Sequence, residues 1–263
     1  MSGFGTQLRY WRGLRRSSQL DLASAAMTTP RYVSFVETGR AAPSREMVLR
    51  LAAALDVPLR ERNDLLLAAG FAPMYSAEPL EAPQLRRVDS AISAMLRRHE
   101  PFPAVVMDRS WNLLRANDGA RELFTRLFAP EPLPDPANVL RLIIEPGPVR
   151  NGVLNWTAVV PALLERARRE AVGGVLDPDT AALVDRLRHR PDVAALLPAA
   201  SIAVPPPVLD LQFRVGGQQL GFFSLVSTIG TPIDVTTQEL RVEAFFPSDE
   251  QTGQAWRRIC RSG

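Results

Sequence analysis

Between Ser18 and Arg40 the chain reads SQLDLASAAMTTPRYVSFVETGR, and this stretch limits the fold more than any other, because its signals describe two short helices joined by a tight turn. Ser18 offers a side-chain oxygen in front of Gln19–Ala26, where Leu20, Leu22, Ala23 and Ala26 fall at positions a helix can bury. After Met27 and Thr28, Thr29 serves as the cap of a second helix and Pro30 takes its first position, where the missing N–H is harmless. That helix runs through Glu37. Gly39 then closes it in the left-handed conformation, and Pro43 prevents its resumption. Val33 and Val36 fall inward, whereas Arg31, Ser34 and Phe35 point out. A helix-turn-helix that reads DNA needs this division: one face docked, and the N-terminal residues of the second helix free to reach base edges in the major groove.

The flanking sequence completes a small helical domain. Phe4, Leu8, Trp11 and Leu14 recur at helical spacing and predict a first helix over residues 4–16. Ser44 caps a fourth over Arg45–Leu55, burying Met47, Val48, Leu51 and Leu55, and a fifth spans Leu59–Ala69, turns Leu65 and Leu66 inward and stops at Gly70. The first 17 residues carry Arg9, Arg12, Arg15 and Arg16 and no acid, a local patch that suits a phosphate backbone. All 31 basic residues are arginine, a bias that codon usage in a GC-rich genome explains.

The pattern SQ-x-x-LA-x-x-A, T-x-R-x-x-S-x-x-E-x-GR-x-x-PS resembles the Cro/cI-type helix-turn-helix of the XRE family of transcriptional regulators over the first quarter of the chain. The resemblance implies that Gln19 touches a DNA phosphate, that the Thr29–Ser34 surface enters the groove, and that Glu37 forms a buried ion pair with Arg12. The surface expected to face DNA comprises Thr28, Thr29, Pro30, Arg31, Ser34 and Phe35. Arg31 is the expected base reader, since a guanidinium bonds guanine O6 and N7 together, while Gln19, Arg9 and Arg40 suit phosphates. Where the family usually has glycine in the turn, this chain has Met27, a residue for which positive φ is costly.

Residues 73–83 are rich in proline and alanine without a clear period and read as a linker between a DNA-binding domain at 1–72 and a second domain at 84–263. A helix from Pro83 to Arg98 follows, its apolar stripe of Leu85, Val88, Ile92, Met95 and Leu96 being either core or a dimer seam. Ala104–Met107, a turn at Asp108-Arg109 and Trp111–Arg115 read as a hairpin, and Val208–Val215 and Leu220–Ile229 as another across Gly216-Gly217. A last strand covers Glu239–Phe246, alternating Leu240, Val242 and Ala244 against Glu239, Arg241 and Glu243. Helices are expected near 117–128, 138–143, 155–171 and 178–195, with Gly173-Gly174 as a turn, and a closing helix begins at Asp249. Two strands, several helices and three strands predict an α+β, PAS-like fold with one antiparallel sheet facing a helical layer.

The stretches PFPAVVMDRSWNLLRAN, NWTAVVPALLERAR and GTPIDVTTQELRVEAFFPSDEQT resemble the ligand-binding domain of MmyB-like transcription regulators. That resemblance implies a PAS-like sensor with a cavity for a lipophilic small molecule such as a fatty acid. Trp111, Phe124, Trp156, Phe213 and Phe222 are the candidates to line it, although aromatics at such spacing are most often plain core. Arg150 and Asn151 lie before a helix and can hold a carboxylate head group, solvated surface being the simpler role.

Catalysis has little to build on. His99 and His189 stand outside any metal-binding spacing, Cys260 is alone, and no G-x-S-x-G elbow or glycine-rich phosphate loop is present. No metal or other cofactor is expected. With no signal peptide and no apolar run of 18 residues, the expectation is a cytoplasmic, non-membrane, non-enzymatic homodimer that partners double-stranded DNA and a small lipophilic effector. A DNA-binding adaptor whose second domain contacts a protein partner is the alternative.

Overall fold

Three of the first five helices in the computed structural model, which describes residues 3–128, 132–171, 174, 177–197, 208 and 210–261, start on a side-chain cap. These helices are α1 (Phe4–Leu14), α2 (Gln19–Ala25), α3 (Pro30–Glu37), α4 (Arg45–Ala54) and α5 (Leu59–Ala68). Ser18 Oγ accepts from Asp21 N at 3.1 Å while Asp21 accepts from Ser18 N at 2.9 Å, a reciprocal box that sets the phase of α2. That phase buries Leu22, Ala23 and Ala26 and sends Leu20 to solvent at 65% exposure, contrary to the inward position expected for it. Two residues along a helix is about 200°, so Leu20 and Leu22 cannot share a face. Thr29 and Ser44 cap α3 and α4 through Tyr32 N and Met47 N, each at 3.2 Å.

Gly5 lets α1 lie against the end of α3, since a Cβ there would sit 2.6 Å from the carbonyl oxygens of both Val36 and Glu37. Pro58 offers α5 no side-chain cap; Gln238 supplies the acceptor instead, its Oε1 receiving Leu59 N at 2.7 Å. Residues Thr231–Gln238 accordingly cluster with Met1–Pro79 as one compact unit, and Leu80–Gly230 with Glu239–Gly263 form the second.

The second unit is built on a five-stranded antiparallel sheet. Its elements in chain order are α6 (Arg86–Arg98), β1 (Ala104–Met107), β2 (Leu113–Ala116), α7 (Asp118–Phe128), α8 (Val139–Ile144), α9 (Pro148–Gly152), α10 (Trp156–Arg169), α11 (Pro178–Arg188), α12 (Pro191–Ala194), β3 (Leu211–Val215), β4 (Gln218–Thr228), α13 (Val235–Glu239), which begins in the first unit, β5 (Arg241–Pro247) and α14 (Glu250–Arg261). The strand order is β2-β1-β5-β4-β3. Gly216 and Gly217 turn β3 into β4 at φ 57° and 77°, values open to glycine at no steric cost. Of the expected strand from Val208, the first three residues lie outside β3, and Leu209 lies outside the described residues, as does Gly173 of the Gly173-Gly174 turn.

Pairing of Val105 with Glu243 and Val106 with Val242 fixes which residues share a face. On one side Ala104, Val106, Leu240 and Val242 pack with Ile92 and Leu96 of α6, so the stripe on α6 is core of this unit, with Met95 left 43% exposed. On the other, Val105, Met107, Phe213 and Phe222 join residues of α7, α8, α10 and α14 in the main core. Both faces of β5 are therefore covered. The alternation expected for this strand is present, but its polar set does not face water: Arg241 and Glu243 are 4% and 3% exposed. Among the described residues no helix is long and apolar enough to cross a membrane.

Candidate functional site

Helix α3 presents the surface anticipated for it. Thr29, Pro30, Arg31 and Arg40 are exposed, Thr28, Ser34 and Phe35 half-buried, and Val33 and Val36 buried. The Arg31 guanidinium stands 5.2 Å from the Phe35 ring centroid on an exposed residue and has no acidic partner among the described residues. The preceding turn holds Met27 at φ 51°, the left-handed conformation that a side chain resists. Thr28 N closes it on Ala23 O at 2.8 Å, and Arg50 of α4 reaches over to donate to Met27 O at 2.7 Å and to Ala26 O.

Glu37 closes α3, its side chain turned inward and 1% exposed. Arg12 grips it with two donors, Nε to Oε1 at 2.7 Å and Nη2 to Oε2 at 3.1 Å, which is the ion pair the sequence resemblance implied. Gln19 Nε2 donates to Oε2 at 2.8 Å and Arg9 Nε stands 3.6 Å away, its Nη2 donating to the Glu37 carbonyl at 3.3 Å. Burial pushes the Glu37 carboxyl up, but the hydrogen bonds from Arg12 and Gln19 and the charges of Arg12 and Arg9 outweigh it and hold the group below the usual carboxylate range. The Arg12 guanidinium is raised by the same bond. Gln19, assigned to a phosphate on the sequence, is here turned onto Glu37. Arg9 is 58% exposed and keeps donors for solvent.

In the second unit a narrow cavity of about 40 Å³ lies between the sheet and the helical layer. Thirteen of its fourteen lining residues are apolar, Phe124, Phe213 and Phe245 among them; the fourteenth is Glu243. An open groove of about 930 Å³ runs along α6, β2 and α7, with Arg97, Arg115, Arg121, Glu100 and Asp118 on its walls. Phe124, half-buried on α7, lines both and so separates groove from cavity.

Of the residues expected around a ligand, the structure brings Phe124 and Phe213 together in the cavity wall. The others stand elsewhere, each with its own partners. Phe222 is fully buried edge-to-face against Trp256, 5.8 Å between centroids. Trp156 donates from Nε1 to Ile143 O at 2.9 Å, and its ring carries the Arg150 guanidinium at 3.8 Å. Arg150 is also paired with Asp192 through Nη1 at 2.6 Å, so its charge is already answered by an acid. Trp111 is left-handed, φ 67°, because the Asp108 carboxylate closes the hairpin loop by accepting from Ser110 N and Asn112 N at 2.8 and 2.9 Å. Its ring lies between Arg166 and Arg241, 5.1 and 5.4 Å from their guanidinium carbons.

Glu243 and Arg166 are the functional candidates that sequence reasoning passed over. Arg166 Nη1 donates to Glu243 Oε1 at 2.7 Å and its Nε to Glu170 Oε1 at 2.7 Å; Arg241 reaches Glu170 Oε2 at 3.3 Å. Burial lowers the Arg166 guanidinium, but the bonds and charges of Glu243 and Glu170 more than reverse this and leave it raised, whereas burial and the charge of Arg166 leave Arg241 lowered. No local pattern would have flagged Glu243: a charge alternating with apolar residues normally faces solvent, and only a second layer over β5 changes that. Among the described residues no group of three or more His, Cys, Asp or Glu is placed to hold a metal ion.

Residues 88–259 match the family model described as the MmyB-like transcription regulator ligand binding domain, and residues 8–62 match a helix-turn-helix model. No curated protein matches the chain. Both matched families are regulatory rather than enzymatic.

Proposed function

The chain belongs to the MmyB-like transcription regulators, a helix-turn-helix joined to a ligand-binding domain, and from that premise we propose that it is a dimeric regulator whose operator affinity is set by a small, fatty-acid-like lipophilic effector. As the matched families have it, the protein is a DNA-binding transcription regulator with a ligand-binding domain. In the proposal, residues 1–72 bind DNA, 73–83 link, and 84–263 sense; Arg31 reads a base, Thr28, Thr29, Pro30, Ser34 and Phe35 shape the contact, and Arg9, Gln19 and Arg40 hold phosphates. Two recognition helices on a palindromic operator must meet half-sites about 34 Å apart or a multiple of that.

The observation that carries the effector is the apolar cavity. At about 40 Å³ it is too small for such a molecule, since ligand pockets run to roughly 300–1,000 Å³. A lipophilic molecule therefore binds a widened arrangement, entering from the groove as Phe124 swings aside, and stabilises that arrangement over the narrow one. This differential affinity is all a ligand has with which to shift the equilibrium between two states. The small cavity equally fits the adaptor reading, in which nothing enters.

Native mass spectrometry of the purified full-length chain separates the two. A co-purified adduct of lipid mass, or binding from a lipid panel, supports the sensor; a clean apo mass with no member of the panel bound leaves the adaptor. Selection of operators from random duplexes tests the DNA side: an enriched palindrome and a steep loss of affinity with salt are expected, and a slope near zero would sink it.

A further inference from the structure

Met27 holds a left-handed backbone, φ 51°, just ahead of the helix that carries Arg31, and is itself 78% exposed. A side chain resists that conformation, which persists only where the surroundings impose it. Packing of the methionine does not impose it. Helix α2, which ends at the turn, has no basic residue in its last turn to answer its final carbonyls. Arg50 answers them from α4: its Nη2 donates to Ala26 O and, at 2.7 Å, to Met27 O. Those two carbonyls belong to the peptide planes on either side of the Met27 Cα, the planes whose rotation defines its φ and ψ. Helix α4 is a firm base for this reach, capped by Ser44 and seated on the buried Val48, Leu51 and Ala52. In making both bonds with one nitrogen, Arg50 leaves its Nε buried with no hydrogen-bond partner among the described residues. The turn is satisfied and the side chain is not.

We infer that Arg50 is a positioning residue for DNA reading: by fixing both peptide planes around Met27 it sets the direction in which α3 starts, and so where Arg31 reaches. The inference rests on the proposed base-reading role of Arg31 and adds to it a residue outside α2 and α3. Without Arg50 the strained residue relaxes into other conformations, and only a fraction of molecules present α3 in the reading arrangement. Apparent affinity for a specific site falls by that fraction. Phosphate contacts carry no sequence information and depend on charge more than on direction, so they tolerate the change. Glycine at position 27 adopts positive φ freely and no longer needs the clamp. The two positions are therefore coupled.

A double-mutant cycle in the full-length chain measures the coupling: Arg50→Ala and Met27→Gly, singly and together, titrated at one salt concentration with the operator enriched from random duplexes and with a random duplex. Arg50→Ala is expected to lower the operator-to-random affinity ratio at least about tenfold, with random-duplex binding changed no more than about threefold. In the Met27→Gly background the same substitution should lower the ratio less than about threefold. An unchanged ratio in folded Arg50→Ala overturns the inference, as does an equal loss in the two backgrounds, which would make Arg50 a general support of the domain. Arg31→Ala, run alongside, tests the reading beneath it. A ratio that Arg31→Ala leaves untouched removes both; one that falls with Arg31→Ala and not with Arg50→Ala removes Arg50 alone. Should Arg50→Ala not fold, recovery of the fold on adding Met27→Gly supports the clamp, and no recovery overturns it.

Discussion

Both units of this molecule bury glutamate against arginine, Glu37 in the first and Glu239 and Glu243 in the second, and Glu37 and Glu243 are held differently. Glu37 is saturated: both its oxygens carry donors, from Arg12 twice and from Gln19, and Arg9 adds its charge. Glu243 takes one bond, from Arg166 Nη1, and the Nη2 of that guanidinium is buried with no hydrogen-bond partner among the described residues. A buried charge needs every lone pair answered to be structurally neutral or better. Glu37 meets that condition and serves to hold α1, α2 and α3 together, presenting Arg31 from a fixed platform. Glu243 falls short of it, with a single bond on one oxygen.

The largest expected effect tests that contrast directly. Glu37→Ala strands Arg12 and Gln19 and should destabilise the protein by about 3–5 kcal/mol, read as a lowered denaturation midpoint. Glu243→Gln keeps an acceptor for Arg166 and should cost far less stability. Equal losses in the two variants would erase the distinction. Acid gives a second handle on the same pair. The Glu37 carboxyl is held below its usual range, so the stability it contributes is fully present above the ordinary glutamate value and is lost as pH falls through the depressed one. Unfolding followed from pH 6 downward should therefore show a fall in stability beginning near pH 4 to 5, and Glu37→Gln should flatten it. Asp177 acts in the same direction in the second unit: burial opposes it, but its bonds to Thr180 and the charge of Arg109 leave it lowered, and its share should survive in that variant.

The difference between the units also explains what could be read from the chain. The helices of the first unit announce themselves through Ser18, Thr29, Pro30, Ser44, Gly39 and Gly70, each a local signal with a local cause. Even the Arg12–Glu37 pair came from a motif that lies within thirty residues. Gln238 capping α5 from 179 residues away had no such signature, nor did Gly5, whose need for a bare Cα depends on where α3 ends. The sheet of the second unit was legible as strands and turns because alternation and Gly216-Gly217 are local too. Its site was not. Which face of β5 is covered depends on two layers brought in by distant segments, so aromatic character pointed to Trp111, Trp156 and Phe222, which the fold spends on arginine stacking, a backbone bond and the core. Only Phe124 and Phe213 reached the cavity.

Smaller effects sharpen the view of Glu37 as a platform. If Arg31 reads a base from it, Arg31→Ala should cost about 1–3 kcal/mol of discrimination at one operator position, leave stability unchanged and leave binding to random duplex nearly intact. If Arg9 holds a phosphate as proposed, Arg9→Ala should instead weaken all duplexes alike and lower the salt slope by about one unit. Competition binding against single-base operator variants, repeated at several salt concentrations, separates the two; a uniform loss for Arg31→Ala would remove it from base reading.

The smallest expected change is a gain. Met27 holds φ 51° with its side chain 78% exposed, so nothing is recovered from packing to offset the strain. A side chain in the left-handed region costs about 1–2 kcal/mol, and glycine gives back part of that advantage through the freedom it has in the unfolded chain. Met27→Gly should therefore raise stability by about 0.5–1 kcal/mol without touching Glu37 or its partners. Thr28 N to Ala23 O and the Arg50 bonds to the turn carbonyls do not depend on the Met27 side chain and should persist. If the variant is instead less stable by thermal unfolding, the turn is held by contacts of the methionine itself, and the platform behind Arg31 begins one residue earlier than Glu37 and its donors imply.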